Sequence, residues 1–284
     1  MSAERNLSAT LEPLQCISVV ELKHKLDSEQ SPVLLDLSQV QTYTRGHIDG
    51  ALHLPVQKIV RPEGYAAGLA PRASQLQALA SAYGLFSKQP IVVYDDEGGG
   101  WAGRAIWILD ILGLNNLAYL DGGLRAWMHA GLPLTSVIAA PKPLSVPEPL
   151  NFNSWATIDH AALSAALESD TLFILDGRSL AEYQGLRRFA KRSGHIPSAV
   201  HYEWTQVLAS QASFQLRPLH EVMSDWYALG YQDGQTIVVY CQTHHRSGLL
   251  YLAARALGLP VRAYAGSWSE WGNLEDAPIA TYKP

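Results

Sequence analysis

The sequence predicts an α/β protein made of two successive domains, each a parallel sheet flanked by helices. Three observations carry that expectation. The chain has 284 residues, about twice the ~100–150 residues of the commonest domain. Short β-branched runs alternate with stretches of helical period, the pattern of a parallel sheet covered by helices. The chain also contains its own pattern twice, which fixes the architecture more firmly than either half alone.

Taken in order, the first half offers VLLDL (33–37), then GHIDGALHL (46–54), then RASQLQALASAYGL (72–85). The last places Leu76, Leu79, Ala80 and Tyr83 on one helical face, with Gly84 as a stop. IVVY (91–94) follows as a buried strand, then a polar loop, a helical stretch ending in LGL (112–114), and LDGGLRAW (120–127). The second half repeats the plan as ILD (174–176), GHIPSAVHY (194–202), RPLHEVMSDWYALG (217–230), IVVY (237–240), LGL (257–259) and YAGSWSEW (264–271). In RPLHEVMSDWYALG the core face is read as Leu219, Val222, Trp226 and Leu229. Asp176 follows Asp36 by 140 residues and His195 follows His47 by 148, a drift small enough for loop insertions in a shared plan. The join is PKPLSVPEPLNFN (141–153), where Pro141, Pro143, Pro147 and Pro149 lack backbone donors and stiffen the chain. The expected division is a silent first domain over 1–138, a proline-rich linker over 139–153 and a catalytic domain over 154–284.

Composition narrows the function. Hydrophobic residues at 48% and charged residues at 17% supply two cores and exclude a disordered chain. A net charge of -5 gives nucleic acid or an anionic membrane no general reason to bind. No apolar run approaches the ~18–20 residues of a membrane span, and MSAERNLSATLEPLQ lacks a basic region followed by a hydrophobic stretch, so a cytoplasmic protein is expected. Two cysteines cannot form a disulfide framework, and such sparing use fits a reducing compartment.

Ligands of parallel sheets bind beyond the carboxyl ends of the strands, so the loops after the two IVVY strands come first. The second reads Cys-Gln-Thr-His-His-Arg-Ser (241–247), with a helix expected from about Gly248. A cysteine between a strand end and a helix N-terminus meets converging N–H groups and a positive dipole, which favour thiolate. Arg246 adds a permanent charge and a fork suited to an oxyanion. Cys16, in LQCISVVEL, has no such neighbours and is read as structural. Zinc on Cys241, His244 and His245 is disfavoured, since adjacent loop histidines cannot complete a tetrahedral site. Those histidines instead shape the loop entrance or stand in solvent.

The first loop, Asp-Asp-Glu-Gly-Gly-Gly-Trp (95–101), contains Gly98-x-Gly100-x-x-Gly103, a dinucleotide fingerprint on paper. Asp95, Asp96 and Glu97 would repel a pyrophosphate, and Asp95 stands 146 residues before Cys241, the offset of the two strands. A carboxylate in that position is not the nucleophile that the Cys241 thiolate is, so this loop is expected to be catalytically silent. His47 and His195 recur in both halves and are therefore read as structural, bonding to Asp36 and Asp176. Trp127 and Trp271 are read as core.

Gly-His-Ile, IVVYC, C-x4-R-S and AGSWSEW together resemble the tandem-domain rhodaneses, thiosulfate sulfurtransferases with a silent first half and a catalytic second half. The CQTHHR loop with YEWT (202–205) is similar to that of the bacterial type, over roughly residues 15–280. The resemblance implies a persulfide on Cys241, held by Gln242, Thr243, His244, His245, Arg246 and Ser247, with Trp204 beside the sulfur. It implies thiosulfate as donor, cyanide or a thiol as acceptor, a protein acceptor as the alternative, and no cofactor or metal. Vertebrate-type members carry a substrate-binding arginine where this chain has Glu182, and lack the arginine found here as Arg246. Arg187, Arg188, Lys191 and Arg192 lie in an insertion between Asp176 and His195 and either steer anions or form a solvated loop. The rival enzyme class is a cysteine phosphatase with C-x5-R, one residue longer than the spacing here.

Overall fold

The computed structural model describes residues 12–28, 31–86, 89–145 and 150–281. In the first half the strands are β1 (Gln15–Ile17), β2 (Val33–Asp36), β3 (Leu52–His53), β4 (Arg61–Glu63), β5 (Ala66–Leu69), β6 (Ile91–Tyr94) and β7 (Leu117–Leu120). The helices are α1 (Val19–Leu26), α2 (Val40–Arg45), α3 (Ala73–Ala82), α4 (Gly100–Ile111) and α5 (Gly123–His129). The second half contributes β8 (Leu172–Asp176), β9 (Val200–His201), β10 (Thr236–Tyr240) and β11 (Val261–Ala263), with α6 (His160–Ala165), α7 (Leu180–Tyr183), α8 (Leu219–Ala228), α9 (Arg246–Ala256) and α10 (Ser267–Trp271).

Two parallel sheets result, ordered β1-β7-β6-β2-β3 and β11-β10-β8-β9, with β4-β5 as a separate antiparallel ribbon. Both IVVY segments lie inside their sheets and are buried along their whole length. That double-sided burial is why they read as continuous apolar runs. Each strand bearing a loop of interest therefore ends at the same edge of its sheet, next to a helix N-terminus.

Helix α3 buries Leu76 and Ala80 and stops before Gly84, as its spacing predicts. In α8, Val222 and Trp226 are buried but Leu229 is exposed, because the helix ends at Ala228 and the chain turns away. Helix α9 starts at Arg246, two residues earlier than the sequence suggests, so Arg246 belongs to its first turn. Trp127 and Trp271 are buried, and each donates its indole N–H to a proline carbonyl, of Pro133 and Pro278.

The two halves meet along α4 and α9. A Cβ on Gly103 would lie 2.1 Å from the Gly248 carbonyl oxygen, so the helices touch backbone to backbone. Deeper in the interface, Asp110 accepts from the guanidinium of Arg255 at 2.8 and 3.2 Å and from the Tyr251 hydroxyl at 2.8 Å. The linker follows the first domain: Leu144 N–H donates to Ser81, and Asn153 N–H to Ile111. Pro147 and Pro149 lie outside the described residues. Among the described residues no helix is long and apolar enough to cross a membrane.

Candidate active site

The loop after β6 shows what this scaffold offers an anion. Asp95 is buried, and its Oδ1 accepts from the N–H groups of Glu97, Gly98 and Gly99 at 3.1, 3.1 and 2.8 Å. Its Oδ2 accepts from Trp101 and Ala102 at 3.1 and 3.0 Å, the first amides of α4. Burial raises the Asp95 carboxyl above the usual range, against which the Ala102, Gly99 and Glu97 amides pull it back. Of the fingerprint glycines, Gly98 thus helps to wrap a side chain of its own loop, and Gly103 serves the contact with Gly248.

In the loop after β10, Cys241 takes the place of Asp95. Its side chain is 1% exposed, at the end of β10 and before α9. Burial alone would push the thiol up. The Arg246 charge, the Ser247 hydroxyl and amide, and the Thr243 amide outweigh burial and bring it below its ordinary value. Cys16 is the opposite case, pushed up to about 12 by burial and by Asp121. Both thiols are free, but only one is set up to ionise.

The seven other residues singled out in the sequence take distinct places. Arg246 makes a two-pronged ion pair with Glu182, Nη1 to Oε2 at 2.7 Å and Nη2 to Oε1 at 2.9 Å. Although burial would raise Glu182, its Arg246 and Ser179 partners hold it at about 2. Glu182 therefore anchors Arg246. Ser247 Oγ lies 2.8 Å from His244 Nδ1. The serine has one hydroxyl proton; given to the sulfur, it leaves the oxygen to accept from His244, which fixes the neutral Nδ1–H tautomer. Burial and the nearby Arg104 and His245 charges hold His244 far below the usual histidine range, consistent with that neutral ring.

His244 is fully buried and does not line an entrance. Its φ of 55° is left-handed, a strained conformation for a non-glycine residue. His245 stacks on Trp101 of the first domain at 4.0 Å, and its Nε2 lies 2.5 Å from Glu97 Oε1. Trp204 flanks the same ring at 6.4 Å. Gln242 donates from Nε2 to the Phe189 carbonyl, which ties the 184–194 insertion to the loop. Thr243 contributes its amide to the sulfur and its carbonyl to Arg104.

One further expectation needs correction. His47 and His195 bond through Nδ1 to the Tyr43 and Tyr183 carbonyls and stack on those same rings at 3.8 Å, rather than bonding to Asp36 and Asp176. Asp176 is already engaged by Arg178 and Tyr240, and Asp36 accepts from the Ser38 amide. Within the basic cluster, Arg192 donates to the carbonyls of Trp271, Leu274 and Ala277, and Lys191 to the Tyr65 hydroxyl. Arg192 is thus a structural contact of the insertion, while Arg187, Arg188 and Lys191 stand exposed.

Sequence reasoning passed over Arg104. It lies within α4, fully buried, in a run of apolar residues. A charge in the middle of a helix buried on all sides was the available signal, since such a group must find partners.

A model of the Rhodanese-like domain matches residues 18–130 and again 159–274. The thiosulfate sulfurtransferase of Azotobacter vinelandii is 40% identical over 264 residues, 93% of this chain and 96% of that protein. The enzyme of the same name from Pseudomonas aeruginosa is 39% identical over 249 residues, 87% and 90% of the two chains. A solved structure of EanB in complex with ergothioneine superposes with a TM-score of 0.85 at 20% identity, over 96% of this chain and 72% of that one, a likeness of fold. With the domain present twice and relatives of this length and identity, the chain belongs to the rhodanese family of sulfurtransferases, in tandem-domain form.

Proposed function

We propose that the protein is a thiosulfate sulfurtransferase of the bacterial CQTHHR type, with the second domain, 154–284, as the catalytic half. The observation that carries this reading is a thiol lowered below its ordinary range by a cation, a hydroxyl and backbone amides at a strand end. The Cys241 thiolate attacks the outer sulfur of thiosulfate, a sulfur–sulfur bond forms as another breaks, and sulfite leaves with the electron pair. The terminal sulfur of the resulting persulfide then passes to cyanide, giving thiocyanate, or to a thiol, giving a new persulfide; Cys241 returns as thiolate.

The residues have separate tasks. The Thr243 and Ser247 amides and the Ser247 hydroxyl hold the sulfur anion. Arg246, kept in place by Glu182, supplies the field. Trp204 and His245 form an aromatic wall with Trp101. Four residues between Cys241 and Arg246 leave a cradle shorter than the C-x5-R of cysteine phosphatases, which favours sulfur over phosphate. A protein thiol has a surface to meet: Leu186 and Phe189, 80% and 52% exposed, lie on the insertion joined to Gln242. Two free cysteines are consistent with work in a reducing cytoplasm.

Intact mass after thiosulfate treatment tests the proposal. The protein should gain one sulfur atom and lose it to cyanide, and Cys241→Ser should gain none. A wild-type chain that takes up no sulfur would overturn the reading.

A further inference from the structure

Arg104 is a fully buried guanidinium all of whose hydrogen bonds go to backbone carbonyls. Nε and Nη2 donate to Ile59 at 3.1 and 2.9 Å, and Nη2 also to Gly68 and Leu69 at 2.8 and 3.1 Å. Nη1 crosses the domain boundary and donates to Thr243 at 3.3 Å and His244 at 3.2 Å. Among the described residues no carboxylate pairs with it, in contrast to Arg178, Arg246 and Arg255. Burial brings its pKa down to about 9, so it stays charged at neutral pH, and the Cys241 thiolate is the group that supports its charge. A buried cation without an anion is costly. This one sits against the loop that carries an anion for a living part of each catalytic cycle.

Peptide geometry gives the contact a direction. In a trans peptide the C=O and the following N–H point opposite ways. Drawing the Thr243 and His244 carbonyls toward Arg104 therefore turns the amides of His244 and His245 to the other side of the loop.

We propose that Arg104, from the catalytically silent first domain, is a positioning residue of the second: it orients the 243–245 peptides around Cys241 and takes the thiolate or persulfide as its counter-ion. The assignment rests on Cys241 being the sulfur carrier. It gives the silent half a task that its own loop cannot show. Trp107 completes the mount, since its ring lies under the Arg104 guanidinium at 5.2 Å and meets His244 edge-on at 4.6 Å.

The test is the ultraviolet titration of the Cys241 thiolate in the full-length protein, in Arg104→Lys and in Arg104→Gln, each against the same chain carrying Cys241→Ser as blank. Arg104→Gln should move the midpoint up by about one pH unit, a tenfold loss of thiolate below the midpoint. Arg104→Lys keeps the charge but has only three donors, so its midpoint should fall between the two. A midpoint coincident with wild type in Arg104→Gln overturns the proposal; if that variant does not fold, coincidence in Arg104→Lys does so. The titration needs no sulfur donor. A chain that shifts as expected but gains no sulfur from thiosulfate therefore supports the role of Arg104 and refutes the sulfur-transfer reading instead.

Discussion

The loop after β6 and the loop after β10 are the same device finished in two ways. In the first, five amides close on the Asp95 carboxylate, and Gly99 takes a left-handed φ of 87° as the residue before α4. In the second, the matching residue is His245 with φ of -94°, and α9 begins with Arg246 where α4 begins with Gly100. The first site is filled by its own chain and has no nucleophile. The second holds a single sulfur, with the amides of Thr243 and Ser247 and an adjacent cation. An anion-stabilising cradle is thus a property of the shared scaffold, and chemistry depends on which atom ends the strand.

The largest expected effect comes from emptying the filled cradle. Asp95→Ala leaves five N–H donors without an acceptor, three of them in buried bonds, at about 1–3 kcal/mol for each that water cannot reach. A stability loss of at least about 3 kcal/mol is expected in urea denaturation; a loss below about 1 kcal/mol would mean that the carboxylate is incidental to the first domain. Next comes the cation that the first loop lacks. Arg246→Gln should slow sulfur uptake at neutral pH about tenfold, the equivalent of one pKa unit in Cys241, and Arg246→Lys should recover much of the rate. An unchanged rate would place the source of thiolate stabilisation elsewhere.

The smallest effect is the pH dependence of the Arg246–Glu182 pair. Glu182 is held at about 2 in the folded protein against an ordinary 4.5. Its contribution to stability is therefore complete above the ordinary value and is lost as pH falls through about 2. The stability gap between wild type and Arg246→Gln should be constant at neutral pH and narrow under acid. A gap that widens in acid contradicts the pairing.

Much of this was legible in the sequence because repeats and periods are local signals. The duplication, the buried IVVY strands and the match of Asp95 to Cys241 all follow from counting along the chain. Contacts between distant positions were not legible. Nothing near Arg246 announces Glu182, 64 residues before it, and nothing in the periodicity of α4 says that Arg104 reaches Thr243. The start of α9 was misplaced because Arg246 and Ser247 read as loop by composition, whereas the amide of Ser247 is used inside the first helical turn to hold sulfur. His244 read as solvent-facing because its burial depends on a ring from the other domain, Trp107.

The backbone contact between Gly103 and Gly248 bears on how the molecule comes apart. Leu35, Val93 and Trp107 of the first half belong to one continuous apolar cluster with Val239, Leu249 and Ala263 of the second. Each half also keeps a core of its own, around Leu22, Val92 and Trp127 in the first and Leu163, Val238 and Trp271 in the second, but with no room for a methyl group where Gly103 meets Gly248, the interface has no gradual way to loosen. Separation of the two halves is then expected to be all-or-none, because it exposes the shared cluster at once. Removal of the first half would leave α9, which begins at the Cys241 loop, without the helix it packs against.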